Sequence, residues 1–148
     1  MKIYVDADAC PKVIKEILYK TAERTKIELI LVADQYMSVP YSAVIQFIRV
    51  KSGINAADDK IVELVVAGDL VITADIPLAD KVVGKGVLAL NPRGELYTER
   101  NIKECLAIRD MMAEFRDNGM EGGGPPPFNQ KNKQQFANEL NKIICKHC

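Results

Sequence analysis

The hydrophobic positions of this chain alternate between strand-like runs and helix-like spacing. Short apolar runs that predict buried strands lie at residues 2–5, 27–33, 44–50, 70–74 and 87–90. Between them, apolar residues recur every three or four positions, which predicts helices at residues 10–24, 55–68 and 77–83. Strands that alternate with helices in this way imply crossover connections and a parallel sheet covered on both faces. We therefore predict a three-layer α/β domain.

The C-terminal third of the chain has no strand pattern. Helical spacing recurs at residues 99–116 and again at 131–146. The segment between them, 118–129, is rich in Gly and Pro. The Gly- and Pro-rich segment is incompatible with a helix or a central strand. The apolar residues that we expect to pack are Ile102, Leu106, Ile108, Met112 and Phe115 in the first helix and Phe136, Leu140, Ile143 and Ile144 in the second. We predict one domain over residues 1–148, with an α/β core at 1–97 and a helical C-terminal appendage at 98–148.

Composition and charge exclude several classes of protein. The 148 residues suffice for one domain with a core of its own, and 20 Lys and Arg balance 20 Asp and Glu. No global positive field would attract a nucleic acid, although a local basic patch stays open. No apolar run approaches the roughly 18 residues of a membrane span, and the first residues do not resemble a secretory signal. The four scattered cysteines are typical of reduced thiols, so we expect a cytoplasmic protein that does not enter a membrane.

Aspartates fall where predicted strands end and predicted helices begin. Asp6 and Asp8 follow the first strand. Asp58 and Asp59 lie in the first turn of the helix that starts near residue 55, and Asp75 follows the fourth strand. In a parallel sheet the carboxyl ends of the strands share one edge, and ligands bind in the crevice there. We therefore expect these carboxylates to converge at that edge.

Carboxylates gathered at one edge repel one another unless a cation neutralises them. Oxygen ligands suit Mg²⁺ or Mn²⁺, and such an ion lowers the pKa of water and stabilises charge on a phosphoryl oxygen. The single histidine is next to last in the chain, and no phosphate-binding GxxxxGK[ST] loop is present. The sequence thus predicts a Mg²⁺ or Mn²⁺ site among the carboxylates of Asp6, Asp8, Asp58, Asp59 and Asp75.

Each aspartate also has a purely structural interpretation. Asp8 and Asp75 each precede a helix and could cap it, and Asp58 and Asp59 could simply favour the dipole of their helix. Asp6 follows its strand too early to cap the next helix. The capping interpretation therefore explains single members of the set better than the whole set.

Three further positions carry weaker signals. Cys10, near a helix start, could have a lowered pKa or could be a small residue at that start. Cys145 and Cys148 resemble half of a zinc site without a second pair. Arg93 lies in the turn 91–94 at the same predicted edge as the aspartates, where it could bind a substrate phosphate or be a solvated turn residue.

Several motifs of this chain resemble one protein family. They are DADACP at 6–11, AADDKI at 56–61, GDLVITADIPLA at 68–79, NPRG at 91–94 and GGP at 123–125. Together they look like the YaiI/YqxD family of bacterial proteins, and the resemblance covers essentially the whole chain. That family is in turn similar to the PIN-like superfamily of metal-dependent nucleases.

The resemblance to PIN-like nucleases implies roles for individual residues. Asp6 matches the aspartate after the first PIN strand, and Asp58 matches an acidic residue near a helix start. Thr73 and Asp75 match a Thr-x-Asp strand end, while Asp8 substitutes for a fourth acidic position that has no clear counterpart. The resemblance implies a Mg²⁺- or Mn²⁺-dependent nuclease acting on RNA or single-stranded nucleic acid. In such an enzyme Asp6, Asp58 and Asp75 would hold the metal, and Asp8 and Asp59 would assist directly or through water.

Two alternatives stay open at this point. Asp6-Ala7-Asp8 after a strand mimics the Asp-x-Asp motif of haloacid-dehalogenase-type phosphatases, with Asp6 as nucleophile and Asp8 as general acid. Cys10 stands where those enzymes usually have Thr or Val, so the match is poor. The other alternative is a non-catalytic PIN-like module that binds RNA or a protein.

Overall fold

The computed structural model describes residues 1–51, 53, 56–117 and 128–147. Its elements in chain order are β1 (Ile3–Asp6), a 3-10 turn (Ala7–Ala9), α1 (Lys12–Thr25), β2 (Leu29–Ala33), β3 (Ile45–Arg49), α2 (Ala56–Leu64), β4 (Leu70–Ile72), α3 (Ile76–Val83), β5 (Leu88–Leu90), β6 (Leu96–Tyr97), α4 (Ile102–Asp117) and α5 (Gln130–His147). The predicted break at 118–129 falls mostly on residues 118–127, which lie outside the described residues.

The strands form one sheet in the order β3-β2-β1-β4-β5-β6. All neighbours up to β5 pair in parallel, and β6 pairs antiparallel with β5. The predicted α/β class with a mainly parallel sheet is confirmed. The strand β6 was not predicted, because two residues are too short to display a strand period.

Helices cover both faces of the sheet. Side chains alternate between the faces along each strand. Ile3 and Val5 of β1 therefore join one apolar core with α1 and α5, whereas Tyr4 joins a second core with α2, α3 and α4. Burial of both faces explains why β1, β2 and β4 read as continuous hydrophobic runs in the sequence.

The two C-terminal helices complete one layer each. All four apolar residues predicted to pack in α5 are buried, as expected. In α4 the prediction holds for Ile102 but is wrong for Ile108 and Met112, which are 47% and 49% exposed. The side chain of Phe115 lies outside the described residues. Among the described side chains of α4, Ile102 and Cys105 pack with the second core, and Leu106 is half-buried.

The order of connections creates a crevice between β1 and β4. The chain leaves β1 through α1 toward β2 and β3, and then returns through α2 to β4 on the other side of β1. Because α1 and α2 pack on opposite faces, the carboxyl ends of β1 and β4 form the topological switch point at which ligands bind in such sheets. None of the helices in the described ranges is both long and apolar enough to cross a bilayer.

Candidate metal centre

Three aspartates from three different elements meet at the switch point. Asp6 is the last residue of β1, Asp58 lies in the first turn of α2, and Asp75 follows β4 as the N-cap of α3. The charges of Asp75 and Asp6 both raise the pKa of Asp58. The charge of Asp75 also raises the pKa of Asp6. These three aspartates therefore lie near enough to one another to interact electrostatically.

Thr73 holds two of these aspartates in position. Its hydroxyl donates to Asp6 Oδ2 at 3.2 Å and accepts from the Asp75 backbone N–H at 3.0 Å. Thr73 and Asp6 are both buried. Burial is the main reason why the pKa of Asp6 is raised, with smaller contributions from the charges of Asp75 and Asp8, while the bond from Thr73 lowers it.

Asp58 and Asp75 form a carboxyl pair. The pKa of Asp58 is raised to about 7, first by burial, then by the charge of Asp75 and by a hydrogen bond with it, and then by Asp6. That hydrogen bond therefore favours the protonated form of Asp58. Lys81 opposes these effects and lowers the pKa of Asp58. Near neutral pH the pair shares one proton, a position that a cation can take instead.

Asp75 is also a helix cap, as its structural interpretation proposed. Its Oδ1 accepts from the Leu78 backbone N–H at 3.1 Å. A carboxylate offers about four acceptor positions on its two oxygens, so one capping bond leaves capacity for another ligand. The capping and ligand interpretations of Asp75 are therefore compatible.

Asp8 and Asp59 lie further from the centre. Asp8 is exposed, and its Oδ2 accepts from the Asp34 backbone N–H at 3.1 Å. The expectation that Asp8 caps α1 is wrong, because Pro11 is the N-cap and no side chain bonds there. Its charge still raises the pKa of Asp6, which places it beside the site. Asp59 is exposed, and since successive helix residues are rotated by about 100°, it leaves α2 in a different direction from Asp58.

The aspartates form an open arrangement of oxygen ligands and not a closed cage. Within the part of the chain that the structure describes, no three His, Cys, Asp or Glu side chains stand together in a ready-made metal site. Mg²⁺ is usually bound through one or two carboxylates, with waters and substrate phosphates completing its shell. The all-oxygen set of Asp6, Asp58 and Asp75, with its carboxyl pair, fits a centre of that open kind.

A cleft of about 480 Å³ opens next to these aspartates. We call it the edge cleft, and its walls include Ala9, Pro11, Ala74, Ile76, Asn91, Pro92, Arg93, Glu95, Tyr97 and Phe128. Arg93 thus lies at the predicted edge, and its backbone N–H donates to Asn91 Oδ1 at 2.6 Å. Sequence reasoning singled out Arg93 but missed Tyr97 and Phe128, which no motif marks.

Lys81 was missed as well. It lies in the last turn of α3, where a lysine ordinarily serves the carboxyl end of its helix. No sequence signal separates that role from an interaction with Asp58.

The cysteines give no alternative centre in the described chain. Cys10 is buried, and burial raises its pKa to about 12, so the expectation of a lowered pKa is wrong. Asp6 adds to this effect, and Lys15 opposes it. Cys145 is exposed, while Cys148 lies outside the described residues.

Fold and site together define an α/β protein with a carboxylate cluster at the switch point of its sheet. The family model described as "Uncharacterized BCR, YaiI/YqxD family" matches residues 4–146, and the chain belongs to this family. A "UPF0178 protein" of Maridesulfovibrio salexigens is 58% identical over 144 residues, covering 97% of this chain and 95% of the relative. A UPF0178 protein of Colwellia psychrerythraea is 58% identical, covering 97% of this chain and 95% of the relative. Another from Shewanella halifaxensis is 56% identical, covering 99% of this chain and 97% of the relative. No solved structure gives a significant match.

Proposed function

We propose that this protein is a Mg²⁺- or Mn²⁺-dependent phosphodiesterase that hydrolyses RNA or single-stranded DNA, on a PIN-like fold. The observation that carries the proposal is the carboxyl pair of Asp58 and Asp75, with Asp6 beside it, at the switch point of the sheet. Three acidic groups gathered in a half-buried crevice cost stability in the absence of a counter-ion. A divalent cation relieves that repulsion.

The chain offers a set of residues for such a cation. Asp6, Asp58 and Asp75 would hold it, with Asp8 and Asp59 acting through water. When bound, the ion lowers the pKa of water and neutralises charge on a phosphoryl oxygen. Asp58 would release the proton it shares with Asp75, because a proton and a cation compete for the same oxygens.

The neighbouring residues position these ligands. Thr73 orients Asp6 through its hydroxyl, and the cap on Leu78 N–H holds Asp75 at the start of α3. Arg93, in the edge cleft, is the cation that would meet a phosphate of the substrate.

The phosphatase alternative gains no support from the environment of Asp6. A nucleophilic aspartate has to be ionised and reachable by a phosphoryl group. Asp6 is 8% exposed, and burial raises its pKa. Both properties suit a metal ligand, which a bound cation would ionise, better than they suit a nucleophile. The non-catalytic module remains an outcome of the experiment below.

The proposal is tested by titrating the protein with Mn²⁺ in a calorimeter, beside Asp58→Asn and the control Glu63→Gln. Glu63 is an exposed carboxylate on the same helix, so both variants remove one negative charge from α2. We expect Asp58→Asn to weaken Mn²⁺ binding by more than about tenfold, since even residues that support metal ligands typically contribute that much. Glu63→Gln should bind Mn²⁺ like the wild type.

Cleavage of labelled single-stranded RNA and DNA is then measured with Mn²⁺ and with EDTA. The proposal predicts cleavage that requires the metal and is lost in Asp58→Asn. Equal Mn²⁺ affinity in wild type and Asp58→Asn would contradict it, and absence of Mn²⁺ binding in both would favour the non-catalytic module.

A further inference from the structure

The edge cleft lies directly beside the carboxylates. Ala74 and Ile76 in its wall are the two chain neighbours of Asp75, and Ala9 follows Asp8. Because Ala74 and Ile76 are bonded directly to Asp75, the cleft borders the crevice that holds the carboxylates. A ligand that reaches both places has a part suited to the carboxylates and a second part suited to the cleft.

The walls of the cleft offer flat apolar surfaces. Pro11 comes from the start of α1, Pro92 from the β5–β6 turn and Phe128 from the chain just before α5. Phe128 is half-buried and packs against the core formed by α1 and α5. Aromatic side chains of this kind stack on the face of any nucleobase.

Polar groups lie among these apolar surfaces. Asn91 Nδ2 donates to the Tyr97 hydroxyl at 2.9 Å, which leaves the hydroxyl proton of Tyr97 to serve as a donor. Burial raises the pKa of Tyr97, which keeps that proton in place. Glu95 is exposed and supplies a carboxylate acceptor. Such a donor and acceptor match the ring nitrogens and exocyclic amino groups of nucleobases.

We propose that the edge cleft binds the nucleobase of the nucleotide that flanks the phosphate at Asp6, Asp58 and Asp75. The position of the phosphate rests on the proposed function, whereas binding of the base itself requires no metal. A base in a duplex is stacked and paired, and entering a pocket requires its extrusion. The cleft therefore selects single-stranded polynucleotides, and Arg93, which lines it, would contact the phosphate.

The test uses the four ribonucleosides in EDTA. Nucleosides carry no phosphate, so the carboxylates do not repel them and no metal is required. Binding is followed by amide chemical shifts in the wild type, in Phe128→Leu and in Tyr41→Leu. Leucine keeps the apolar packing of Phe128 but removes its aromatic face, and Tyr41 is a fully exposed tyrosine away from the cleft lining.

We expect nucleosides to shift the backbone amides of residues 91 and 93–97. Their affinity should fall about fivefold in Phe128→Leu, a loss typical of one stacking contact. Tyr41→Leu should bind like the wild type. Absence of nucleoside binding in the wild type, or equal binding in Phe128→Leu, would overturn the inference.

The two proposals fail in different measurements. Nucleoside binding without Mn²⁺ binding would leave the base site standing and remove the nuclease. Metal-dependent cleavage without nucleoside binding would leave the nuclease standing and remove the base site.

Discussion

The carboxyl group of Asp75 raises the pKa of Asp58, by its charge and by a side-chain hydrogen bond, although the two residues belong to different helices, one in the first turn of α2 and the other at the N-cap of α3. The proton in that bond removes the repulsion that two ionised carboxylates would otherwise have at this position. Asp6, at the end of β1, adds further negative charge to the same place. The metal-free protein therefore carries a local electrostatic cost that depends on pH.

The first prediction concerns the pH dependence of the free energy of unfolding without metal. The pKa of Asp58 is raised from 3.8 to about 7 in the folded protein. Between pH 3.8 and about 7 the folded state holds a proton that the unfolded state has lost. The stability that this proton contributes is therefore fully present below pH 3.8 and is lost as the pH rises through about 7. Asp58→Asn should remove the dependence, which is on the order of 1 kcal/mol after solvent screening of a half-exposed carboxyl.

Urea unfolding in EDTA at several values between pH 4.5 and 8, roughly the span of ordinary and raised carboxyl pKa values, checks this prediction. Wild type should lose stability toward high pH relative to Asp58→Asn. Glu63→Gln serves as the charge-matched control and should keep the wild-type slope. An identical slope in Asp58→Asn would show that Asp58 does not hold the shared proton.

The second prediction separates the structural role of Thr73 from its effect on metal binding. Thr73→Val removes the hydroxyl that bonds to Asp6 and to the Asp75 backbone. We expect the free energy of unfolding to fall by about 1–3 kcal/mol, because the buried Asp6 carboxylate and the half-buried Asp75 backbone N–H each lose a bond. Mn²⁺ affinity should fall by about tenfold, as for other residues that orient metal ligands.

Thr25→Val is the matched control for Thr73. The Thr25 hydroxyl donates to the Thr21 carbonyl at 2.7 Å, within α1. This variant is expected to lose stability while keeping the Mn²⁺ affinity of the wild type. If both variants bound Mn²⁺ like the wild type, Thr73 would have a role in the fold alone.

The sequence was sufficient to predict the convergence of Asp6, Asp58 and Asp75. That prediction needs only the alternation of strands and helices and the rule that carboxyl ends of parallel strands share an edge. The positions of strand ends and helix starts do not distinguish Asp58 from Asp59, since both occupy the first turn of α2 and the rotation of the helix decides which one faces β1 and β4. The choice of Asp58 comes from the resemblance to PIN-like nucleases.

Other features depend on contacts that no local pattern encodes. In the described part of α4 only Ile102 and Cys105 pack with the second core, and the exposure of Ile108 and Met112 is not revealed by helical spacing. The edge cleft joins Phe128, which lies before α5, with Pro11 and Pro92 from distant segments. Such a site is visible only after the chain has folded.

The third prediction concerns Gly94, which ties the turn beside the edge cleft to α5. Gly94 has φ +92°, and a Cβ there would lie 2.7 Å from the Gln135 carbonyl carbon and 2.8 Å from the Phe136 nitrogen. Gly94→Ala combines backbone strain with a clash against a helix backbone that cannot move aside. We expect its free energy of unfolding to fall by about 3 kcal/mol.

Gly68→Ala measures the effect of backbone strain at positive φ without a steric clash. Gly68 has φ +94°, and apart from its own chain neighbours no atom lies within 4 Å of the position that a Cβ would take. Its free energy of unfolding should fall by about 1 kcal/mol. Equal losses in the two variants, measured by urea unfolding, would mean that contact with α5 adds nothing at Gly94.

The fourth prediction separates the two roles of Asp75. Its carboxylate caps α3 through the Leu78 N–H and pairs with Asp58. Asp75→Ser keeps a good N-cap but removes the carboxylate, whereas Asp75→Ala removes both. We expect both variants to lose Mn²⁺ affinity by more than about tenfold. Asp75→Ala alone should lose the stability of the cap, about 1 kcal/mol.

Calorimetry with Mn²⁺ and urea unfolding in EDTA, on the same protein samples, measure the two effects independently. Removing the partner of Asp58 also lowers the pKa of Asp58, because the charge and hydrogen bond of Asp75 are among the causes that raise it. Both variants should therefore show a weaker loss of stability toward high pH than the wild type. A serine variant that kept full Mn²⁺ affinity would assign Asp75 to the helix cap and remove it from the metal centre.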